Sequence, residues 1–182
     1  EPGAMPGPSQ IRNSNSYQIL AQAAAHGLQA EYLGIVPDEE RATRRMVERG
    51  LEAEVFVSTG GVSVGDKDYL GAAFGALGVE PIFSKVEMKP GKPTFFGRRG
   101  NTLVFGLPGN PVAALATFHF LVMTALRRRM GLGDPLPREW RLPLRGSLRA
   151  GGDRPTFWPA QLVTAEGGAQ GTGVAPLEWH GS

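Results

Sequence analysis

The chain of 182 residues suits one ordinary domain, or one domain plus a small one, and its 41% hydrophobic content is that of a globular protein with a sizeable core. No apolar run approaches the roughly 20 residues needed to span a bilayer, and a formal net charge of +2 is too small to argue for nucleic acid, although the sequence pI is near 9.2. With no cysteine there is neither a disulfide framework nor a thiolate metal site, so a cytoplasmic protein is expected.

Residues 1–10 are rich in Pro and Gly and carry no pattern, which predicts an extended lead-in. From Asn13 the pattern changes. Tyr17, Leu20, Ala21, Ala24 and Leu28 recur at helical spacing, with Asn13 or Ser14 as N-cap and Gly27 as the stop. Residues 30–36 are short and apolar and run into Pro37, as a buried strand would. Asp38 is placed to cap a second helix, whose first turn carries Glu39 and Glu40 and which ends at Gly50. A second buried strand is predicted over 54–59 and a third helix over 69–77, stopped by Gly78.

Residues 80–88 read as a strand, and 94–97 with 102–106 as a hairpin closed over 98–101. The longest helix follows, with Asn110 as N-cap, Pro111 at its first position, and an apolar face of Val112, Leu115, Ala116, His119, Val122 and Leu126. Its basic end, Arg127 to Arg129, suits the negative pole of the helix dipole. Strands alternating with helices imply a layered α/β/α domain with a mainly parallel sheet over residues 1–134. Beyond Pro135 the helical pattern stops. Strand-like stretches at 140–144, 156–163 and 174–179, separated by Gly, Pro and Asp, predict a partial small β domain over 135–182.

Three turns in the α/β part have the makings of an anion site. GGVSVGDKD (60–68) follows a strand and precedes a helix; Gly60 and Gly61 allow close backbone approach, and Ser58, Thr59 and Ser63 add hydroxyl donors. Asp66 and Asp68 beside an anion imply a cation between them, which makes them candidate Mg²⁺ ligands; an ordinary Gly-rich turn with one of them capping the next helix is the alternative. Around KPGKP (89–93), Lys85, Glu87 and Lys89 would point the same way on a strand, a clustering of charge that suits a polyanion, and Pro90 and Pro93 stiffen the turn that holds Lys89 and Lys92; a solvated charged edge strand is the plainer reading. GLPGNP (106–111) aims a helix N-terminus outward. No zinc motif, P-loop or GxSxG elbow is present; His119 reads as a packed helix residue, and Phe95, Phe96, Phe118 and Phe120 as core.

STGGVSVGDKDYL (58–70), VEMKPGKPTFFG (86–97) and VFGLPGNPVAALATF (104–118), in this order and together with IRNSNSY (11–17) and GIVPDE (34–39), closely resemble the molybdopterin molybdotransferases of molybdenum cofactor biosynthesis, the family that includes the E domain of gephyrin. The resemblance implies an enzyme that binds adenylylated molybdopterin, inserts molybdate at its dithiolene and releases AMP with Mg²⁺. It matches Asp38 and Asp68 with acidic active-site residues, Lys85, Lys89 and Lys92 with anion-binding lysines, Gly60, Gly61 and Ser63 with the ligand-binding loop, and Pro108, Asn110 and Pro111 with the third loop. It further implies a homodimer in the full-length protein, with the molybdopterin adenylyltransferase as a partner.

The family's α/β domain opens with a strand ending in Thr-Gly-Asp-Glu that has no counterpart here, and Ser84 stands where an aromatic is common, so the chain reads as a fragment lacking the N-terminal domains. A related adenylyltransferase, acting one step earlier, and a non-catalytic scaffold of the gephyrin kind are the alternative readings.

Overall fold

The computed structural model describes residues 1–8, 10–62, 69–148, 152–164 and 171–178. Strands β1 (Val55–Thr59), β2 (Glu80–Phe83), β3 (Phe95–Arg99) and β4 (Thr102–Leu107) form one sheet in the order β1-β4-β3-β2. β1 and β4 are parallel, while β3 is antiparallel to both of its neighbours, β4 and β2, so β1, β2 and β4 all run the same way. The β3–β4 hairpin pairs Arg99 with Thr102, closing over Gly100 and Asn101 more tightly than the sequence pattern indicated.

Alternation along the strands sorts the core into two layers. On one face Phe56 and Val104 pack with Val47 and Leu51 from helix α2 (Glu40–Gly50) and its end, and with Ala73 and Phe74 from α3 (Tyr69–Ala76). On the other, Phe105 and Leu107 meet Ala23 of α1 (Asn15–Ala25) and Phe118, Val122 and Met123 of the long helix. Helices therefore cover both faces, in an α/β/α sandwich. That long helix is α4 (Pro111–Thr117), a π turn (Phe118–Val122) and α5 (Met123–Arg129) in succession.

Several elements differ from the sequence pattern. Residues 30–36 are not a strand. They make no strand pairing and line the same cleft as β1. Asp38 does not cap α2; the N-cap is Glu39, in extended conformation and without a side-chain cap bond. On the long helix Val122 is buried and Leu126 packs against the core as the pattern predicts, but Val112 and Leu115 are 37% and 41% exposed, and Ala113, Ala114, Thr117 and Phe118 are buried instead. In the first turns of the helix the inward residues are small, so counting large apolar side chains does not reveal them. In α1 the inward residue is likewise Ala23, and Tyr17 is exposed.

The second unit holds a two-stranded antiparallel sheet, β5 (Ala160–Thr164) with β6 (Thr172–Pro176). Residues 140–144 do not make a strand; only Leu144 bridges to Val174, and Pro143 has no N–H to extend a ladder. Among the described residues no helix is long and apolar enough to cross a membrane.

Gly50 shows how closely the layers meet. A Cβ there would lie 2.2 Å from the Phe56 ring, so its own low helix propensity is outweighed by a clash. Gly50→Ala should lower stability by about 1–3 kcal/mol, the usual cost of overpacking. Gly75→Ala, in α3 with nothing within 4 Å of the new methyl group, should raise it by about 0.5–1 kcal/mol. Urea unfolding of the two variants checks both signs.

Candidate functional site

The pairing register brings the three turns to one rim. Ser58 and Thr59 at the end of β1 lie opposite Gly106 and Leu107 at the end of β4, and Phe95, where β3 begins, also lies opposite Gly106. Gly60, Pro108 and the segment entering β3 from Lys92 therefore sit together at the carboxyl ends of β1 and β4. β2 runs the same way as β4, so its end at Phe83 feeds Lys85 to the same rim. This is where open α/β sheets hold their ligands.

The first and third turns touch. Gly60 and Gly61 have φ of 78° and 67°, a conformation that favours glycine, and the Gly60 N–H donates to Leu107 O at 2.9 Å. A Cβ on Gly109 would lie 3.6 Å from the Gly60 Cα, and one on Gly106 would lie 2.5 Å from Val62 Cγ1. Helix α1 holds the third turn from outside: Asn15 Nδ2 donates to Gly109 O at 2.8 Å and Gln18 Nε2 to Pro111 O at 2.9 Å. The amides at the start of α4 do not point free into solvent. Asn110 Oδ1 accepts from Val112 N and Ala113 N, at 3.0 and 3.1 Å, so an anion at this helix end competes with the Asn110 side chain. Pro108 is buried behind it.

The strand expected over 80–88 ends at Phe83, beyond a register shift between Pro81 and Phe83, so Lys85, Glu87 and Lys89 are not on one strand face. They belong to a loop closed by Val86 N donating to Lys92 O at 3.0 Å. Met88, Pro90 and Gly91 are buried, while Lys85, Lys89 and Lys92 are exposed. Thr94 Oγ1, fully buried, donates to Gly91 O at 2.6 Å, and a Cβ on Gly91 would come 2.5 Å from Thr117 Cγ2. The loop is thus seated on the long helix with its lysines outward. From the far side, Lys89 N donates to Pro155 O at 2.9 Å and Phe157 N to Lys89 O at 2.7 Å.

A cleft of about 1110 Å³ opens between β1 and residues 28–38, with Asp38, Gly60, Gly61, Gly109 and Pro111 in its lining. Lys85, Lys89 and Lys92 do not line that cleft. Ser63, Asp66 and Asp68 lie outside the described residues. Among the described residues no three His, Cys, Asp or Glu side chains gather as a metal cage. Magnesium takes one or two carboxylates and completes its shell with water and phosphate oxygens, and the exposed Asp38 offers one such carboxylate on the cleft.

Residues 5–128 match the family model described as "Probable molybdopterin binding domain". The chain belongs to this molybdopterin-binding family. The domain is 40% identical over 116 residues to a molybdopterin molybdenumtransferase of Bacillus subtilis, covering 63% of this chain and 27% of that protein. To one from Nostoc it is 33% identical over 165 residues, covering 88% of this chain and 38% of the other. The chain therefore spans about a third of the length of these relatives. The crystal structure of a molybdopterin biosynthesis MoeA protein from Pyrococcus horikosii superposes over 98% of this chain and 42% of its own, with a TM-score of 0.78 at 24% identity, which shows a shared fold.

Three parts of the molybdopterin-binding domain's site escaped the reading of motifs: the Asn15 and Gln18 brackets, the buried Thr94 and Thr117 under the lysine loop, and the chain at 155–157. Asn15, Thr94 and Thr117 lie inside recognisable motifs and Gln18 just outside one, but they act through backbone carbonyls or close packing, which no residue pattern announces; the third carries no motif at all.

Asn110→Ala should lower stability by about 1 kcal/mol, since it uncaps two amides of α4, and thermal melting measures it. Burial, and then the Arg127 and His26 charges, hold His119 below its usual 6.5. The unfolded chain therefore binds the extra proton first, so this group's contribution to stability falls as pH drops through 6.5 towards the folded value. Melting curves of His119→Gln should show a weaker loss over that range than those of the parent.

Proposed function

We infer that this domain works in molybdate insertion, holding adenylylated molybdopterin while molybdate enters the dithiolene and AMP is released. The observation that carries the reading is the convergence of the three turns at the carboxyl rim of the sheet, in a chain whose full-length relatives are named molybdopterin molybdenumtransferases. Gly60 would let the turn come close to the pterin phosphate, Gly61 and Ser63 would supply backbone and hydroxyl donors, and Pro108, Asn110 and Pro111 would form the opposing wall.

Lys85, Lys89 and Lys92 would hold the oxyanion and phosphate charges. Exposed ammonium groups attract a single charge only weakly through water. Several of them on one stiff loop favour a ligand with several negative charges, which suits both molybdate and the phosphoanhydride. Asp38, Asp66 and Asp68 would supply the carboxylates for Mg²⁺, which when bound screens the phosphate charge. The chain's own residues orient the two anions and restrain them near each other.

The supporting arrangement is an α/β domain over 1–134 with a small β unit after it, acting in the cytoplasm as a homodimer fed by the adenylyltransferase. The test is AMP release from adenylylated molybdopterin by this chain, with Mg²⁺ and with or without molybdate. Molybdate-dependent release that falls about a hundredfold in Lys89→Ala, with the fold intact, is the expected result. Formation of adenylylated molybdopterin from ATP would assign the preceding step instead, and a folded chain that binds no adenylylated molybdopterin would overturn both.

A further inference from the structure

The lysine loop is gripped on two sides, and only one grip comes from the α/β domain. On the inner side Gly91 packs on Thr117 and Thr94 ties the loop to itself. On the outer side residues 155–157 engage Lys89 alone, accepting its N–H at Pro155 O and donating from Phe157 N to its carbonyl, in a parallel bridge centred on Thr156. Both backbone polar groups of Lys89 are thus taken by one short piece of the second unit.

That piece is itself anchored. The Phe157 ring lies 4.3 Å, centroid to centroid, from Phe120, which belongs to the π turn of the long helix. The same helix therefore sets both grips: through Thr117 for Gly91, and through Phe120 and Phe157 for Lys89. Backbone fixed at both its donor and its acceptor leaves the lysine only side-chain freedom, so less order has to be imposed when an anion binds.

We propose that residues 155–157 are a positioning element for the Lys89 ammonium, with Phe157 as its anchor, so that the second unit sets the affinity of the lysine loop for an oxyanion. The proposal rests on the reading of Lys89 as an anion-binding residue. Phe157 touches no reacting atom in it. It acts through the Lys89 backbone, and its ring, 38% exposed, is not a main support of the core.

The experiment is calorimetric titration with molybdate of the parent chain, Phe157→Ala, Phe157→Tyr, Lys89→Ala and the Phe157→Ala/Lys89→Ala double variant, each with a melting curve. Phe157→Ala should weaken binding about fivefold to tenfold, the scale of one net hydrogen bond, and Phe157→Tyr should stay within about twofold of the parent. In the Lys89→Ala background the Phe157 change should cost nothing further, because the group it positions is gone; a purely structural residue would not show that dependence.

Lys89→Ala weakening binding while Phe157→Ala binds like the parent would overturn the proposal and leave the anion-site reading standing, as would two losses that simply add. Lys89→Ala binding like the parent would remove the anion-site reading and the proposal together. Should Phe157→Ala fail to fold, Phe120→Leu removes the same ring contact from the other side and is read by the same outcomes.

Discussion

The parallel pairing of β1 with β4 is the constraint on which the rest depends. Because Thr59 and Leu107 are partners in register, both strands stop at the same level, and the turns that follow have to share one rim. That sharing is possible only where side chains are absent. Gly106 leaves room for Val62, which a Cβ there would meet at 2.5 Å, and Gly60 turns at a φ of 78°. The surrounding apolar layers, Phe56 and Val104 on one face and Phe105 and Leu107 on the other, keep the pair in the middle of the sandwich, where a one-residue slip would move each strand's residues from one packed layer into the other.

Around that fixed centre the site is assembled from pieces held by unlike means. The glycine turns are set by backbone conformation, the Asn110 turn by its own side chain and by amides from α1, and the lysine loop by buried threonine contacts. Charge plays little part in the framework, and the ion pair between Arg98 and Glu80, for example, lies exposed on the surface. The exposed lysines are therefore available for work other than stability. This division agrees with a site that has to accept several negative charges without altering the fold that carries it.

Much of this was legible in the residues. Glycine turns after β1 and β4, the Asn-Pro start of α4 and the end of α2 at Gly50 all carry local chemistry strong enough to read, and they lie where expected. What was not legible depends on partners distant in sequence. Residues 30–36 have the composition of a strand but pair with none of the described strands, and Lys85 and Lys89 fall on a loop because β2 loses its partner after Phe83. The buried face of the long helix was legible at Val122 and Leu126 but not at its start, where Ala113, Ala114 and Thr117 are buried and the larger Val112 and Leu115 are exposed. The bracing of Lys89 by residues 155–157 is main chain to main chain and leaves no trace in side-chain identity.

The π turn at Phe118–Val122 makes the long helix a poor place for length variation. A π turn absorbs one residue more than regular winding needs, so the helix has already used its slack there, and deleting a residue from α4, before it, would turn everything beyond by about 100° relative to the start. Phe120 would swing off Phe157, and Arg129, which donates to the Asn101 carbonyl at 2.6 Å, would leave the β3–β4 turn. The chain can thus vary in size at its loops, but this one helix works as a gauge whose residue count keeps the second unit and the hairpin in phase.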